Sequence, residues 1–237
     1  MKDLNAGVHV SPNIQTDSDL YEIENIACDP QHKIESFLES HFGWEGKKVI
    51  DVGCGTGYHL PFYARKADHV FGIEPHDKSR LKAMDRLVRE NLKNVSVLKG
   101  SAEAICLEND LIDLAYARFA YFWGEGCEEG IEEVFRILRR GGTFVMIDNN
   151  LEKGTFGNWV KRSFGHSDSK QREIDHFWKK QGFELKVIDS EWTFKSREDL
   201  ESVLKIEFPT DTYKEILKEH DGLSIDYTFN LYFKTKV

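Results

Sequence analysis

Apolar residues recur along the chain in two alternating patterns that predict a succession of strands and helices. Apolar residues three or four positions apart, as in Leu81, Met84 and Val88, indicate amphipathic helices between most of the strands. Strands that alternate with helices are typical of a parallel sheet. The apolar runs that predict strands are Val49–Val52, His69–Ile73, Val95–Leu98, Ile112–Ala117 and Thr143–Ile147.

The segments on either side of this alternation are mostly helical. Before the first strand, Asp19 with Glu22 resembles a capping box, and Asp29-Pro30 predicts the start of a second helix that ends at Gly43. Residues 148–167 are expected to form a long irregular stretch. A helix that ends at Gly182 follows, then a strand within 183–194, two helices, and a closing strand from about 225 to 236.

Charge and composition exclude several classes of partner. The chain has 32 basic and 41 acidic residues, and its net charge of −9 opposes binding to nucleic acid. No run approaches the roughly 18 apolar residues of a membrane span. The four cysteines form no C-x-x-C pair, which favours free thiols in a reducing cytoplasm and no metal site. We therefore expect a cytoplasmic protein without nucleic-acid or membrane partners.

A glycine-rich turn directly follows the first predicted strand. Its sequence is Val49-Ile50-Asp51-Val52-Gly53-Cys54-Gly55-Thr56-Gly57. The three glycines allow positive φ and leave no Cβ between the backbone and a ligand, while the next helix directs unpaired N–H groups at the turn. A turn that merely joins a strand to a helix is the alternative interpretation.

The spacing of the glycines separates two ligand classes. The dinucleotide fingerprint requires its third glycine three residues after the second, and that position is Tyr58. A nucleotide-dependent oxidoreductase is therefore disfavoured, although it stays a rival. The turn instead resembles motif I of the class I S-adenosylmethionine-dependent methyltransferases. That resemblance implies S-adenosyl-L-methionine as the cofactor, with its methionine part held by the turn.

Two further acidic blocks and a second glycine turn support the resemblance. Glu74 ends the second strand and would accept hydrogen bonds from both ribose hydroxyls, while Gly100-Ser101-Ala102-Glu103 would hold the adenine. The family often has Asp where Ser101 stands. Each acid could instead be a solvated loop residue. The block Leu138-Arg139-Arg140-Gly141-Gly142 resembles the family's L-x-P-G-G turn, with Arg140 in place of proline.

The candidate site residues follow from these blocks. The predicted cofactor-binding residues are Asp51, Gly53, Cys54, Gly55, Gly57, Glu74, Pro75, Ser101, Ala102, Glu103 and Arg118. Tyr121, Trp123 and Asn149 are candidate substrate-binding residues, because they follow strands at the edge where open α/β sheets bind ligands. The aromatic residues could equally fill a core.

The residues after the fourth strand bear on the acceptor. Ala117-Arg118-Phe119-Ala120 stands where methyltransferases of nucleobase amines often carry N/D-P-P-Y/F, so a small-molecule methyl acceptor is favoured. The sequence identifies no catalytic base.

The resemblance implies a single α/β domain with a Rossmann-like, doubly wound sheet of about seven strands, the last one antiparallel. Residues 1–43 would form N-terminal helices, 44–150 the cofactor-binding core, and 151–237 the substrate-side elements and closing strands. The N-terminal helices and the two helices before the last strand would form a lid, or would only support the core. A catalytically silent, methyltransferase-like binding subunit is the alternative function.

Overall fold

The structure, a computed structural model, describes residues 3–9, 11, 13–120, 124 and 126–237. In these residues the strands are β1 Lys48–Val52, β2 His69–Ile73, β3 Val95–Leu98, β4 Ile112–Arg118, β5 Leu138–Asn149, β6 Glu184–Thr193 and β7 Ser224–Thr235. The helices are α1 Ser18–Ala27, α2 Lys33–His41, α3 Leu60–Ala64, α4 Asp77–Arg89, α5 Glu128–Ile137, α6 Gly154–Ser163, α7 Lys170–Lys180, α8 Arg197–Glu207 and α9 Thr210–Glu219.

All of these strands form one sheet in the order β3-β2-β1-β4-β5-β7-β6. Strands β1 to β5 pair in parallel, whereas β7 lies antiparallel between β5 and β6, with Asn230 opposite both Asp148 and Val187. This arrangement confirms the predicted Rossmann-like sheet and its antiparallel last strand. The strand order reverses between β1 and β4, and this is the place where open α/β sheets bind ligands.

The central strands carry the core. Consecutive residues of a strand point to opposite faces, and the runs Val49–Val52, Leu114–Ala117 and Phe144–Ile147 are buried throughout. Both faces of the sheet are therefore covered, as expected for parallel strands. The packing of these buried strands fixes the position of their carboxyl ends, where the site lies.

Two predictions about local structure were wrong. Residues 148–167 are not irregular, because α6 lies within them and buries Phe156 and Trp159. A Cβ at Gly157 would overlap the carbonyl oxygen of Asn150, so this glycine permits close packing of the helix. Helix α1 is capped by Asp17, whose Oδ1 accepts from the Asp19 and Leu20 amides, and not by Asp19.

Most of the apolar residues predicted on α4 face outward, whereas Leu87 packs against the core. Leu81, Met84 and Val88 are exposed, while Ala83 is buried on the opposite side. A Cβ at Gly57 would lie 3.0 Å from the Cβ of Ala83, so only small residues fit where α4 meets the glycine turn. No described helix is long and apolar enough to cross a membrane.

Candidate functional site

A cavity lies at the carboxyl ends of β1, β2 and β4, where the strand order reverses. Its wall is built by the glycine turn, by the residues after β2, β3 and β4, by helix α1, and by the N-terminal segment, which we define as residues 3–9, 11 and 13–17. Ten of the eleven predicted cofactor-binding residues line it: Asp51, Gly53, Cys54, Gly55, Glu74, Pro75, Ser101, Ala102, Glu103 and Arg118.

The three glycines of the turn all adopt positive φ, at +80° for Gly53, +55° for Gly55 and +75° for Gly57. Such angles strongly favour glycine. A Cβ at Gly53 would lie 2.7 Å from that of Ala120, so the turn and the end of β4 approach closely. Gly57 is the predicted residue that does not line the cavity. It packs against α4 instead, and its amide donates to the carbonyl of Cys54 over 2.8 Å.

Glu74 is held beside the turn by two backbone amides. Its Oε2 accepts from the amide of Gly55 over 2.9 Å, and its Oε1 accepts from the amide of His76 over 2.8 Å. Burial raises the pKa of this carboxyl. A carboxylate oxygen has two lone pairs, so each oxygen keeps one for a ligand hydroxyl. The contact of Glu74 with a ribose stays a prediction.

The loop after β3 presents an unpaired polar group. The Ser101 side chain is buried, and its Oγ has no hydrogen-bond partner among the described residues. A Cβ at Gly100 would lie 2.7 Å from the carbonyl oxygen of Ala104, which explains the glycine before it. A buried hydroxyl without a partner is costly, and a bound ligand would supply the missing hydrogen bond.

Asp51 is the penultimate residue of β1 and is buried. Burial raises the pKa of its carboxyl to about 7. The group therefore changes charge near neutral pH, which makes it the titratable group of the cavity with the clearest consequence for stability.

We expect Asp51→Asn to alter the pH dependence of stability. Between the usual aspartate pKa of about 4 and the folded-state value of about 7, the folded protein binds more protons than the unfolded chain. The free energy of unfolding therefore falls as the pH rises through this range, and Asp51→Asn should remove that loss. Urea unfolding of both proteins at pH 5, 6, 7 and 8 should show that the unfolding free energy of the variant rises relative to that of the parent as the pH increases.

The control for this prediction is Asp211→Asn, which removes an exposed negative charge outside the cavity. If the difference in unfolding free energy between Asp51→Asn and the parent stays constant with pH, Asp51 does not titrate as stated.

A buried charged cluster closes one side of the cavity. Arg118 Nη1 lies 3.2 Å from Glu35 Oε1 on α2 and donates to His59 Nε2 over 2.7 Å. Burial and the neighbouring Arg118 lower the pKa of His59 to about 4, so its ring is neutral and accepts the hydrogen bond. Burial disfavours ionisation of Glu35, but Arg118 and His59 hold its pKa well below the usual range.

Sequence reasoning identified Arg118 but missed Glu35 and His59. His59 follows the glycine turn by two positions, so its place in the cavity wall could have been inferred. Glu35 lies on a helix that precedes the turn, and no local pattern connects it with the end of β4.

The N-terminal segment covers the turn. A Cβ at Gly55 would lie 2.8 Å from Ile14 Cδ1. The side-chain amide of Asn13 donates to Glu207 at the end of α8. Tyr21 and Asn25 of α1 also line the cavity. The segment and α1 thus border the cavity, and their role as a lid stays a prediction. No described residue of α8 or α9 lines the cavity, and α8 supports α1 instead.

Of the three predicted substrate residues, the structure describes Asn149 alone. Tyr121 and Trp123 lie outside the described residues. Asn149 does not line the cavity in the part of the chain that the structure describes, and its Oδ1 accepts from the hydroxyl of Tyr227. Phe119 and Ala120 form the described wall after β4.

Comparisons with known proteins agree with this geometry. Residues 49–142 match the family described as "Methyltransferase domain". The 2-methyl-6-phytyl-1,4-hydroquinone methyltransferase 2, chloroplastic, of Oryza sativa subsp. japonica is 28% identical over 155 residues, which cover 61% of this chain and 42% of that protein. The chain thus spans less than half the length of this curated relative.

Solved structures share the fold. The YcgJ protein of Bacillus subtilis superposes with a TM-score of 0.64 at 17% identity, covering 87% of this chain and 98% of that one. A SAM-dependent methyltransferase from Aquifex aeolicus gives a TM-score of 0.58 at 19% identity, covering 91% and 97%.

The family match contains both the glycine turn and the predicted Gly141-Gly142 turn, which the structure places within β5. The resemblance inferred from the sequence is therefore confirmed over these residues, which match a methyltransferase domain, and the fold is shared with solved structures of methyltransferases.

Proposed function

We propose that the protein is an S-adenosylmethionine-dependent methyltransferase whose acceptor is a small molecule. The observation that carries the proposal is the cavity, which gathers the glycine turn, Glu74 and Ser101 at the reversal of strand order. Gly53 and Gly55 form a backbone cradle that a side chain would fill. Ser101 Oγ has no hydrogen-bond partner among the described residues, so a ligand can bond to it. The described residues therefore fit the cofactor.

Each part of the cavity has a proposed task. The turn holds the methionine part, Glu74 accepts from the ribose hydroxyls, and residues 101–103 surround the adenine. When bound, the cofactor supplies an activated methyl group on a sulfonium. The protein's contribution is to align the acceptor with that group and to exclude water, which the N-terminal segment over Gly55 favours.

The charge of the cavity supports a small-molecule acceptor. Asp51, Glu74 and Glu103 line the wall of a chain whose net charge is −9, and acids disfavour the phosphates of nucleic acid. The name of the rice relative gives it a hydroquinone acceptor, but the acceptor of this chain is undetermined.

Calorimetric titration with S-adenosylhomocysteine, S-adenosylmethionine and NAD tests the cofactor. We expect the first two to bind and NAD not to bind. A screen with labelled S-adenosylmethionine against a metabolite extract, with mass identification of the product, then tests the transfer. Binding without any labelled product would favour the catalytically silent subunit, and binding of NAD alone would favour an oxidoreductase.

We expect Ile14→Ala to speed the release of S-adenosylhomocysteine. Ile14 lies over Gly55, so the smaller side chain uncovers the turn. Loss of about 1 kcal/mol of apolar contact corresponds to about fivefold faster dissociation, measurable by stopped-flow fluorescence. Leu185→Ala, on β6 and outside the cavity wall, is the control. An unchanged dissociation rate for Ile14→Ala would show that the segment does not retain the ligand.

A further inference from the structure

Two carboxyl groups meet where α1 packs against α8. Glu24 of α1 is 8% exposed, and its side chain forms a hydrogen bond with that of Glu207, the last residue of α8. Ionised carboxylates only accept hydrogen bonds, so a bond between two carboxyl groups requires a proton on one of them. The pair therefore contains a proton that two exposed glutamates would have lost at neutral pH.

The surroundings of the pair favour the protonated form. Glu24 Oε2 is buried and receives no hydrogen bond from the described residues, so a full negative charge there would be costly. Burial and then the neighbouring Glu207 raise the pKa of Glu24 well above its usual range. Burial also raises the pKa of Glu207. Two carboxyl groups this close repel each other when both are ionised, which stabilises the state with one proton between them.

The other titratable groups around the pair supply no compensating charge. They are Tyr21 and Cys28 on α1 and Tyr227 on β7, and burial raises the pKa of each, so all three are neutral near pH 7. Arg118 opposes the rise in the pKa of Tyr21 and of Cys28. No basic side chain of the described residues acts on the pKa of either carboxyl of the pair. The proton is therefore what limits the charge of the pair.

Glu207 also connects the pair to the N-terminal segment. The side-chain amide of Asn13 donates to Glu207 Oε1. The next residue of the segment, Ile14, lies over Gly55 of the glycine turn. Neither Glu24 nor Glu207 lines the described wall of the cavity. The acid pair thus lies outside the cavity, at the point where the covering segment is attached to α8.

We propose that Glu24 and Glu207 share one proton and that this proton holds the N-terminal segment over the glycine turn. In the covered state the protonated carboxyl of Glu24 donates to Glu207, which also accepts from Asn13. When the proton leaves to solvent, the two carboxylates repel each other and the attachment of Asn13 is lost. Both acids are positioning residues, and their effect on ligand release rests on the proposed function, whereas the attachment itself does not.

The direction of the pH effect follows from the raised pKa of Glu24. In the uncovered state both carboxyls are exposed and ionise with the usual pKa of about 4. Uncovering therefore releases a proton at any pH between that value and the raised pKa of the covered state. The equilibrium should shift toward the uncovered state by up to about tenfold for each pH unit in this range. The covered state is favoured at low pH and lost as the pH rises.

Hydrogen exchange of the ligand-free protein between pH 5 and pH 8 tests the inference. The amides of Thr16 and Asp17 donate to the carbonyl of Asn13 and report the release of that residue. Glu24→Gln supplies Glu207 with an amide donor that needs no shared proton, so its uncovering should not depend on pH. Relative to this variant, the parent should exchange these amides up to about tenfold faster for each pH unit. The intrinsic pH dependence of exchange cancels in the comparison.

Glu198→Gln is the control, because it removes an exposed negative charge from the first turn of α8 and leaves the pair intact. It should show the pH dependence of the parent. The inference is overturned if the parent and Glu24→Gln exchange with the same pH dependence. If Glu24→Gln does not fold, Glu207→Gln replaces it, because its amide donates to Glu24 and removes the same shared proton.

Release of S-adenosylhomocysteine is the second measurement. In stopped-flow fluorescence, release from the parent should accelerate with pH relative to release from Glu24→Gln. Titration of Asp51 in the cavity is common to both proteins and cancels. A constant ratio of the two release rates overturns the inference for the bound protein. If S-adenosylhomocysteine does not bind at all, the proposed function fails, while the exchange experiment still decides whether the shared proton holds the segment.

Discussion

Gly55→Val is expected to abolish binding of S-adenosylmethionine and S-adenosylhomocysteine while leaving the fold largely intact. Gly55 has a φ of +55°, and its amide hydrogen points at Glu74. A Cβ there would lie 2.8 Å from Ile14 Cδ1, in the space between the turn and the N-terminal segment. A branched side chain therefore fills the cradle that the proposed function assigns to the methionine part.

The left-handed conformation itself costs a non-glycine residue about 1–2 kcal/mol, so stability must be separated from binding. Gly46→Val is the matched control, because Gly46 has a φ of +66° and no atom within 4 Å of its added Cβ. Both variants should lose similar stability in thermal unfolding, but only Gly55→Val should lose binding. If calorimetry shows that Gly55→Val binds the ligands as tightly as Gly46→Val does, the turn is not part of the site.

Glu74→Ala is expected to weaken S-adenosylhomocysteine binding by about 10- to 150-fold. A hydrogen bond to a charged group contributes about 1.5–3 kcal/mol, and each 1.4 kcal/mol is tenfold in affinity. Glu74→Gln keeps the size and one acceptor oxygen but loses the charge, so its affinity should lie between those of the parent and Glu74→Ala.

The two amides that Glu74 accepts from complicate this experiment. Without the carboxylate, the amides of Gly55 and His76 lose their acceptor, and the turn itself could shift. A 2′-deoxy analogue of S-adenosylhomocysteine separates the effects, because it lacks one of the proposed ribose contacts. The parent and Glu74→Ala should differ much less for the analogue than for the complete ligand.

Equal losses for the two ligands would assign Glu74 to holding the turn rather than the ribose. Glu133→Gln is the control, since Glu133 is also a buried acid that accepts from a backbone amide, that of Ile105, but does not line the cavity. Its binding should equal that of the parent.

Features that depend on neighbours in sequence were predictable. The positive φ values of Gly53, Gly55 and Gly57 follow from the absence of a Cβ, and a strand–turn–helix pattern requires such a turn. Glu74 could be placed beside the turn because β1 and β2 are parallel neighbours joined by one helix. The sequence by itself therefore determined the sheet, the resemblance to methyltransferases and the turn with its neighbouring acid.

Features that depend on segments far apart in the chain were decided only by the tertiary structure. Arg118, Glu35 and His59 come from β4, α2 and the loop before α3, and their contact requires the complete fold. The pKa of Asp51 depends on burial by many residues, which no motif records. On α4, the small Ala83 packs against Gly57, while Leu81 and Met84 are exposed. A turn without side chains lets the helix approach closely, and only a small residue fits between them.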